Sequence, residues 1–324
     1  MNIRAVEIRG SRAVFQVPSG TLFVEVCGVG SVRVSIAADS LLPARTLSDA
    51  PSWHCSEDDR SFNLAAGNLR FSLQKDNGRM TWYDAGGGLL LSQPFPELSR
   101  RPVIKYRTGA GEVRTVKTVD GERSFADDLV PYEDRTAFRA RVFFDFQQDE
   151  RLHGLGQAEE GIYDYRGKTQ YLYQHNMRIP IPFLLSDKGY GVYFDCGCLM
   201  TFNDSGFGSY IFLDTVDTLD FYFLHDTNTD GIIGGMRKLT GAAALLPKWA
   251  FGYIQSREAY HNQHEPESIM AALQRRTPGK PLAVIAETVK GYGSAGTVPR
   301  LVSDDDIRHC VPVPRFRIPL RFPR

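Results

Sequence analysis

Between residues 152 and 176 the chain gathers side chains suited to a polyhydroxylated ligand. Leu152-His153-Gly154-Leu155-Gly156-Gln157 leads to Tyr163-Asp164-Tyr165-Arg166-Gly167 and then to Tyr171-Leu172-Tyr173-Gln174-His175-Asn176. Aromatic faces stack on the apolar faces of sugar rings, while amides and carboxylates hydrogen-bond the hydroxyls, and such groups collect on loops carried by a rigid scaffold. The competing reading is a solvated loop packed by its own tyrosines.

Other spacings that could do chemistry are weaker. Cys196-Gly-Cys198 has no second pair of thiols to close a tetrahedral zinc site, and reads as two thiols on one face of a strand. His261-Asn-Gln-His264-Glu265 matches neither HExxH nor HxxEH, and reads as a solvated loop or helix start. In Gly154-Leu155-Gly156 the third glycine falls at Gly161, and no strand-to-helix unit with a later acid surrounds it, so it is not a dinucleotide fingerprint. No cofactor and no metal are expected.

Composition narrows the partners. Lys plus Arg and Asp plus Glu are both 38, so the formal charge is zero, and nucleic acid, whose affinity comes from neutralised phosphates, is not expected. Aromatics make up 11% of residues and Gly numbers 30, which suits half-buried strands joined by tight turns. Five cysteines without framework spacing fit a reducing compartment. The N-terminal stretch carries charges every few residues and no apolar core of a leader, and no run approaches about 18 uninterrupted apolar residues. A soluble, cytoplasmic protein without a membrane partner is the expectation.

The elements that must position the aromatic stretch are strands. Residues 4–9, 13–17, 22–26 and 32–36 alternate apolar with polar between glycines, and read as antiparallel strands. Asn68 to Gln74, then Asp76-Asn77-Gly78, then Met80 to Tyr83 reads as a hairpin closed by a two-residue turn. Further strands are expected through Val103–Tyr106, Glu112–Val119, Ala137–Phe146, Ile181–Leu185, Gly191–Asp195, Leu199–Phe202, Ser209–Phe212 and Thr218–His225, with no helical period before residue 228. Ile232, Ile233, Met236 and Leu239 lie at helical spacing behind an N-cap in Thr227-Asn228-Thr229-Asp230. Trp249 to Ser256 reads as a strand buried on both faces, Glu265–Arg276 as a helix, and Pro281–Ala286 as a second strand, a β-α-β unit. The Pro- and Arg-rich tail beyond residue 291 is expected to be irregular.

Four stretches carry a family resemblance. They are His153-Gly-Leu-Gly-Gln157, Pro182-Phe-Leu-Leu185 to Gly189-Tyr-Gly-Val192, Thr240-Gly241 to Leu246-Pro-Lys-Trp249, and Phe251-Gly-Tyr-Ile-Gln-Ser-Arg-Glu-Ala-Tyr260. In order and spacing they resemble glycoside hydrolase family 31, the α-glucosidase and α-xylosidase family. The resemblance implies a mainly β fold: a mutarotase-like β-sandwich over residues 1–226, a connecting helix and linker over 227–247, the truncated start of a (β/α)8 barrel over 248–290, and an irregular tail over 291–324. It also implies that a sandwich loop reaches the sugar, which makes Tyr163, Asp164, His175 and Asn176 the substrate-binding candidates, with an α-glucoside or α-xyloside as the carbohydrate partner. Glu258, near the end of the first barrel strand, is either a supporting group or half of a surface ion pair.

The same resemblance places the catalytic residues elsewhere. Retaining glycosidases need two carboxyl groups about 5–5.5 Å apart. The family carries its nucleophile in a Trp-x-Asp-Met-Asn-Glu context, and neither Trp53, Trp82 nor Trp249 opens one. About 75 residues follow Lys248, whereas a full barrel takes about 250. Gly279 to Ser294 is similar to a strand and loop of transketolase-like thiamine diphosphate enzymes, but the Gly-Asp-Gly and Asn of the diphosphate site are missing, and no thiamine chemistry follows. The join near residues 265–279 points to a fused, frameshifted or truncated reading frame. A family 31 chain that binds sugar without turning it over is expected; the alternative is a non-catalytic carbohydrate-binding or protein-interaction module that self-associates through the incomplete barrel.

Overall fold

The computed structural model describes residues 3–37, 42–45, 47, 50–118, 121–174, 177–251, 253–257, 264–276 and 282–286. Four strands open the chain: β1 (Arg4–Arg9), β2 (Arg12–Val17), β3 (Gly20–Gly28) and β4 (Ser31–Ala37). A meander follows, made of β5 (Trp53–Glu57), β6 (Ser61–Ala66), β7 (Leu69–Gln74), β8 (Met80–Asp84) and β9 (Leu89–Gln93). Next come β10 (Glu97–Thr108), β11 (Val113–Thr118), β12 (Gly121–Ala126), β13 (Leu129–Phe143), β14 (Leu152–Gln157), β15 (Thr169–Leu172) and β16 (Ile179–Ser186). Strands β17 (Tyr190–Phe194), β18 (Met200–Ser205), β19 (Gly208–Val216) and β20 (Thr218–His225) complete the series, and helix α1 (Thr229–Thr240) follows. The described chain ends in β21 (Tyr253–Arg257), α2 (His264–Arg276) and β22 (Leu282–Ala286).

An eight-stranded sheet runs β1-β2-β3-β4-β20-β17-β16-β14. Two five-stranded sheets, the β5 to β9 meander and β10-β13-β19-β18-β15, complete the sandwich. A bridge between Ser92 and Asp145 ties the meander to the chain just past β13. Two compact units emerge: Met1–Lys105 with Glu133–Ala242, and Tyr106–Tyr132 with Ala243–Arg324. The first holds the sandwich core. The second holds hairpin β11–β12 and the β21-α2-β22 unit, whose strands pair in parallel as a β-α-β crossover requires.

Two local expectations change. The turn between β7 and β8 is longer than two residues: Gln74 N donates to Arg79 O and Gly78 N to Gln74 O, and only Gly78 takes a positive φ, of 74°. A type I′ turn needs two such residues, and Asn77 stays in the ordinary region. Trp249 is not part of a strand either. Lys248–Phe251 forms a 3₁₀ turn and the strand begins at Tyr253, so the residues just after Pro247 redirect the chain rather than pair it. Helix α1 matches its reading, with Asn228 accepting from Gly231 N and Gly241 closing the C-terminus.

Alternation builds the core. In β7 Leu69, Phe71 and Leu73 are buried while Arg70 is exposed. Trp82 of β8 stacks on Phe223 of β20, ring centroids 4.1 Å apart, and Phe223 stacks on Tyr190 at 5.2 Å. The indole N–H of Trp82 donates to Gln93 Oε1 at 2.8 Å, so its polar edge is satisfied inside the core.

Strands β3, β4 and β20 are buried on both faces, although their outward positions carry Glu25, Arg33, Ser35 and Asp220. Residues 42–45 and 47 explain this, because they strap the outer face: Arg12 donates to Leu42 O, Arg33 to Pro43 O, Arg45 N to Glu25, and Leu47 N to Cys27 O. Beneath the strap Arg33 meets Asp220 at 2.6 and 2.8 Å, and Ser35 donates to the same carboxylate at 2.8 Å. A buried charge left without its partner costs about 3–5 kcal/mol. Asp220→Ala leaves Arg33 only Glu25, 3.6 Å away and already paired with Arg12, and is therefore expected to destabilise the protein by up to about that amount, while Arg33→Met/Asp220→Leu loses less than the single variant. Urea unfolding of both checks this, and a larger loss in the double variant would show that the stranded guanidinium is not the cause.

Candidate functional site

Strand β14 lies at the edge of the eight-stranded sheet and carries the His153 to Gln157 motif. Gly154, Leu155 and Gly156 all take positive φ, at 98°, 60° and 88°, and the pairing with β16 shifts between Gly154 and Gly156. A Cβ on Gly154 would stand 2.3 Å from Phe183 O, and one on Gly156 would stand 2.0 Å from Ile179 O. Both positions therefore need glycine for space as well as for φ. Leu155 accepts the unfavourable conformation because its side chain is buried in the core. The motif is a bulge, after which pairing with β16 resumes at Gly156 and Gln157.

The bulge feeds the aromatic loop, which is held at several points. His153 Nδ1 lies 2.7 Å from Tyr163 O, with the two rings 5.0 Å apart. Asp164 Oδ1 accepts from Leu152 N at 3.1 Å and from Arg166 N at 3.0 Å. Tyr165 N donates to Leu152 O, and its buried ring meets the edge of Phe202. Arg166 pairs with Asp204 at 3.0 Å and lies over the Phe146 ring at 5.2 Å, while Gly167 N donates to Asp204 at 2.6 Å. A tightly anchored loop presents Tyr163, which is 84% exposed.

The four site candidates thus separate. Tyr163 is presented to solvent on a fixed backbone. Asp164 is committed to its own turn: partial burial opposes its charge, but the Arg166 and Leu152 N–H groups overcome that and hold the carboxyl below its ordinary range. His175 and Asn176 lie outside the described residues. Tyr171 and Tyr173 form an edge-to-face pair at 6.3 Å, both exposed, on and just after β15.

A groove beside the loop was not legible in the sequence. It is lined by Asp149, Glu150, Arg151, Asp164, Arg166 and Asp204. Its carboxylates are occupied. Glu150 accepts from Ser186, Tyr190 and Gln147 N, and Asp204 also accepts from Ser209. Burial and the Glu150 charge push the Tyr190 hydroxyl well above its ordinary pKa, so it stays a donor. No short-range signal joins Glu150 to residues 36 and 40 positions later.

The remaining motifs carry no site. Burial pushes Cys196 up to about 12 and Cys198 up to about 11, which keeps both as thiols. Among the described residues no group of three or more His, Cys, Asp and Glu side chains could hold a metal. His264 begins α2 exposed, 3.5 Å from Glu267, while Glu258 and His261 lie outside the described residues. Of residues 279–294 only 282–286 are described, as strand β22. No described helix is long and apolar enough to cross a membrane.

Comparison with known proteins gives this geometry a relationship. Over 178 residues the chain is 34% identical to an α-xylosidase of Saccharolobus solfataricus, a match covering 52% of this chain and 24% of that protein. It is 23% identical over 280 residues to a family 31 glucosidase of Pseudescherichia vulneris, covering 85% of this chain and 51% of the other. A crystal structure of a family 31 α-xylosidase from a soil metagenome, complexed with xylose, superposes with a TM-score of 0.60 at 24% identity, over 84% of this chain and 40% of that one. No protein-family model matches. The chain is thus related to family 31 glycosidases, shares the sandwich fold of their N-terminal part, and spans about a quarter and a half of the length of these two curated relatives.

Asp164 supplies a test of the loop. Its depressed pKa means that its charged-state contribution is present above the ordinary carboxylate value of 3.8 and is lost as pH falls through the folded value. Asp164→Ala is expected to cost about 1–2 kcal/mol, since it leaves two backbone donors without their acceptor. The stability gap between the wild type and Asp164→Asn should shrink as the solution is acidified below pH 3.8; a gap that widens there would overturn the assignment.

Proposed function

We propose that this chain is the sugar-positioning part of a retaining family 31 α-glycosidase, with an α-xyloside or α-glucoside as its ligand, and that the catalytic carboxylates are not among its residues. The 34% identity to an α-xylosidase over 178 residues carries the reading. The occupied carboxylates support its second half. Asp164, Glu150 and Asp204 each accept two or more hydrogen bonds from the fold, so none is free to attack an anomeric carbon or to pass a proton to a leaving group. On this reading Tyr163, together with His175 and Asn176, contacts the sugar, and Asp164 shapes the loop. No thiamine diphosphate step enters it. On the same reading the chain works in a reducing, cytoplasmic setting, on the strength of five cysteines without framework spacing.

A second reading, association with another copy, draws on hairpin β11–β12. It is a two-stranded sheet, so its outer edges are unpaired among the described residues, and it exposes Val113, Val116 and Phe125.

The purified chain is expected to release no 4-nitrophenol from 4-nitrophenyl α-xyloside or α-glucoside, and measurable turnover would overturn the reading. Xylose titration followed by NMR should show weak binding that Tyr163→Ala reduces by about 3- to 10-fold, the range of one aromatic contact. Light scattering over a concentration series decides the second reading: growth in mass that Phe125→Lys abolishes supports it, and a monomer throughout removes it.

A further inference from the structure

The outer face of the β5 to β9 meander carries two cross-strand rows of side chains. His54, Ala65, Arg70 and Tyr83 are successive partners across β5, β6, β7 and β8, and Ser56, Asn63, Ser72 and Thr81 form the next row. Between them lies a depression of about 330 Å³ lined by His54, Ser56, Asn63, Arg70, Ser72 and Tyr83. The rows themselves explain it. Ala65, flanked by His54 and Arg70, contributes only a methyl group, and the neighbouring row is built of short side chains, so the longer residues stand as walls. The volume falls at the lower end of small-ligand sites.

The chemistry of the walls is specific. Arg33, Arg45, Arg79, Arg114, Arg135 and Arg166 each pair with a carboxylate. Arg70 pairs with none among the described residues, and no carboxylate lines the depression, Asp58 standing behind Asn63. An uncommitted guanidinium fork therefore faces a hollow together with an imidazole, two serine hydroxyls, the Tyr83 ring and the Asn63 amide, whose Nδ2 already donates to Asp58 Oδ2 and Ser61 Oγ and which keeps its Oδ1 as an acceptor. A guanidinium fork matches a carboxylate bidentately. Hydroxyls and amides match sugar hydroxyls, and a half-buried tyrosine offers a face for a pyranose ring. A single guanidinium amid hydroxyls suits a single negative charge on a hydroxyl-rich molecule better than a phosphate.

We propose that this depression binds an acidic sugar: a hexuronate unit with its carboxylate on Arg70, its ring against Tyr83 and its hydroxyls on Ser56, Asn63 and Ser72. The site lies on a different sheet from β14 and its loop, and does not depend on the reading of Tyr163. It would hold an acidic polysaccharide segment in addition to the neutral sugar of the proposed function.

Calorimetric titration of the full chain with a glucuronate-bearing xylo-oligosaccharide, the same oligosaccharide without glucuronate, and inorganic phosphate tests it. Saturable binding of the acidic sugar, at least about tenfold tighter than the neutral one, is expected, and Arg70→Gln should remove about that factor, the worth of one charge-assisted contact. Tyr83→Leu should weaken binding several-fold, and Tyr163→Ala, although it can weaken both oligosaccharides through their xylose units, should leave the ratio of acidic to neutral affinity unchanged, which separates this site from the aromatic loop. Arg70 is exposed, so an unaltered melting curve for Arg70→Gln confirms that the fold is intact. Equal binding of the neutral sugar, saturable binding of phosphate, or an unaffected Arg70→Gln variant would each overturn the proposal.

Discussion

A buried guanidinium held by a carboxylate 187 residues further along the chain closes the sandwich. Strand β4 is the last of the N-terminal strands and β20 the last strand before α1, and the eight-stranded sheet is continuous only because these two pair. Asp220 stands opposite Ser35, and Tyr222 opposite Arg33, so the ion pair forms in one register alone. A slip by one residue would turn Asp220 into the apolar core and strand Arg33 beneath the strap. The strap of residues 42–45 and 47 depends in turn on the same cluster, because Arg33 and Glu25 supply groups that hold its backbone.

That closure sets the edge of the sheet, and the edge sets the aromatic loop. With β20 beside β4, strands β17, β16 and β14 follow outward in order, and β14 is left with one free side. An edge strand can bulge without disturbing a second ladder, and β14 does so at Gly154-Leu155-Gly156 before its pairing with β16 resumes. The loop then folds back on its own strand through Asp164 and outward to Asp204, so the exposed Tyr163 stands on a backbone that hydrogen bonds hold still. Such anchoring suits a group that stacks on a sugar, because little freedom remains to be lost on binding.

The carboxylates near this loop work as structural acceptors. Asp164, Glu150 and Asp204 are each met by two or three donors, and Asp149 by Lys188, and that saturation removes the first three from acid–base work. The meander face differs: Arg70 and His54 stand without partners among the described residues, next to open volume. The contrast between satisfied and unsatisfied polar groups separates scaffold from candidate binding surface more sharply than residue type does.

Much of the fold was written locally. Alternation of apolar and polar residues placed most strands, and the cap at Asn228 with the spacing of Ile232, Met236 and Leu239 placed α1, because strand and helix periods follow from backbone geometry alone. The His153 to Gln157 motif pointed to the right relatives without disclosing its role as a bulge, since positive φ at three successive residues depends on the neighbouring strand. The length of the turn at Asn77 and the 3₁₀ turn at Trp249 were likewise invisible, as tertiary packing outweighs weak local preference. Only the tertiary structure could decide which polar residues were spent on the fold. Arg33 with Asp220, Glu150 with Tyr190, and Asp164 with its two backbone donors look in the sequence like Arg70 and Tyr163, and they differ only in what the closed sheets bring within hydrogen-bond reach.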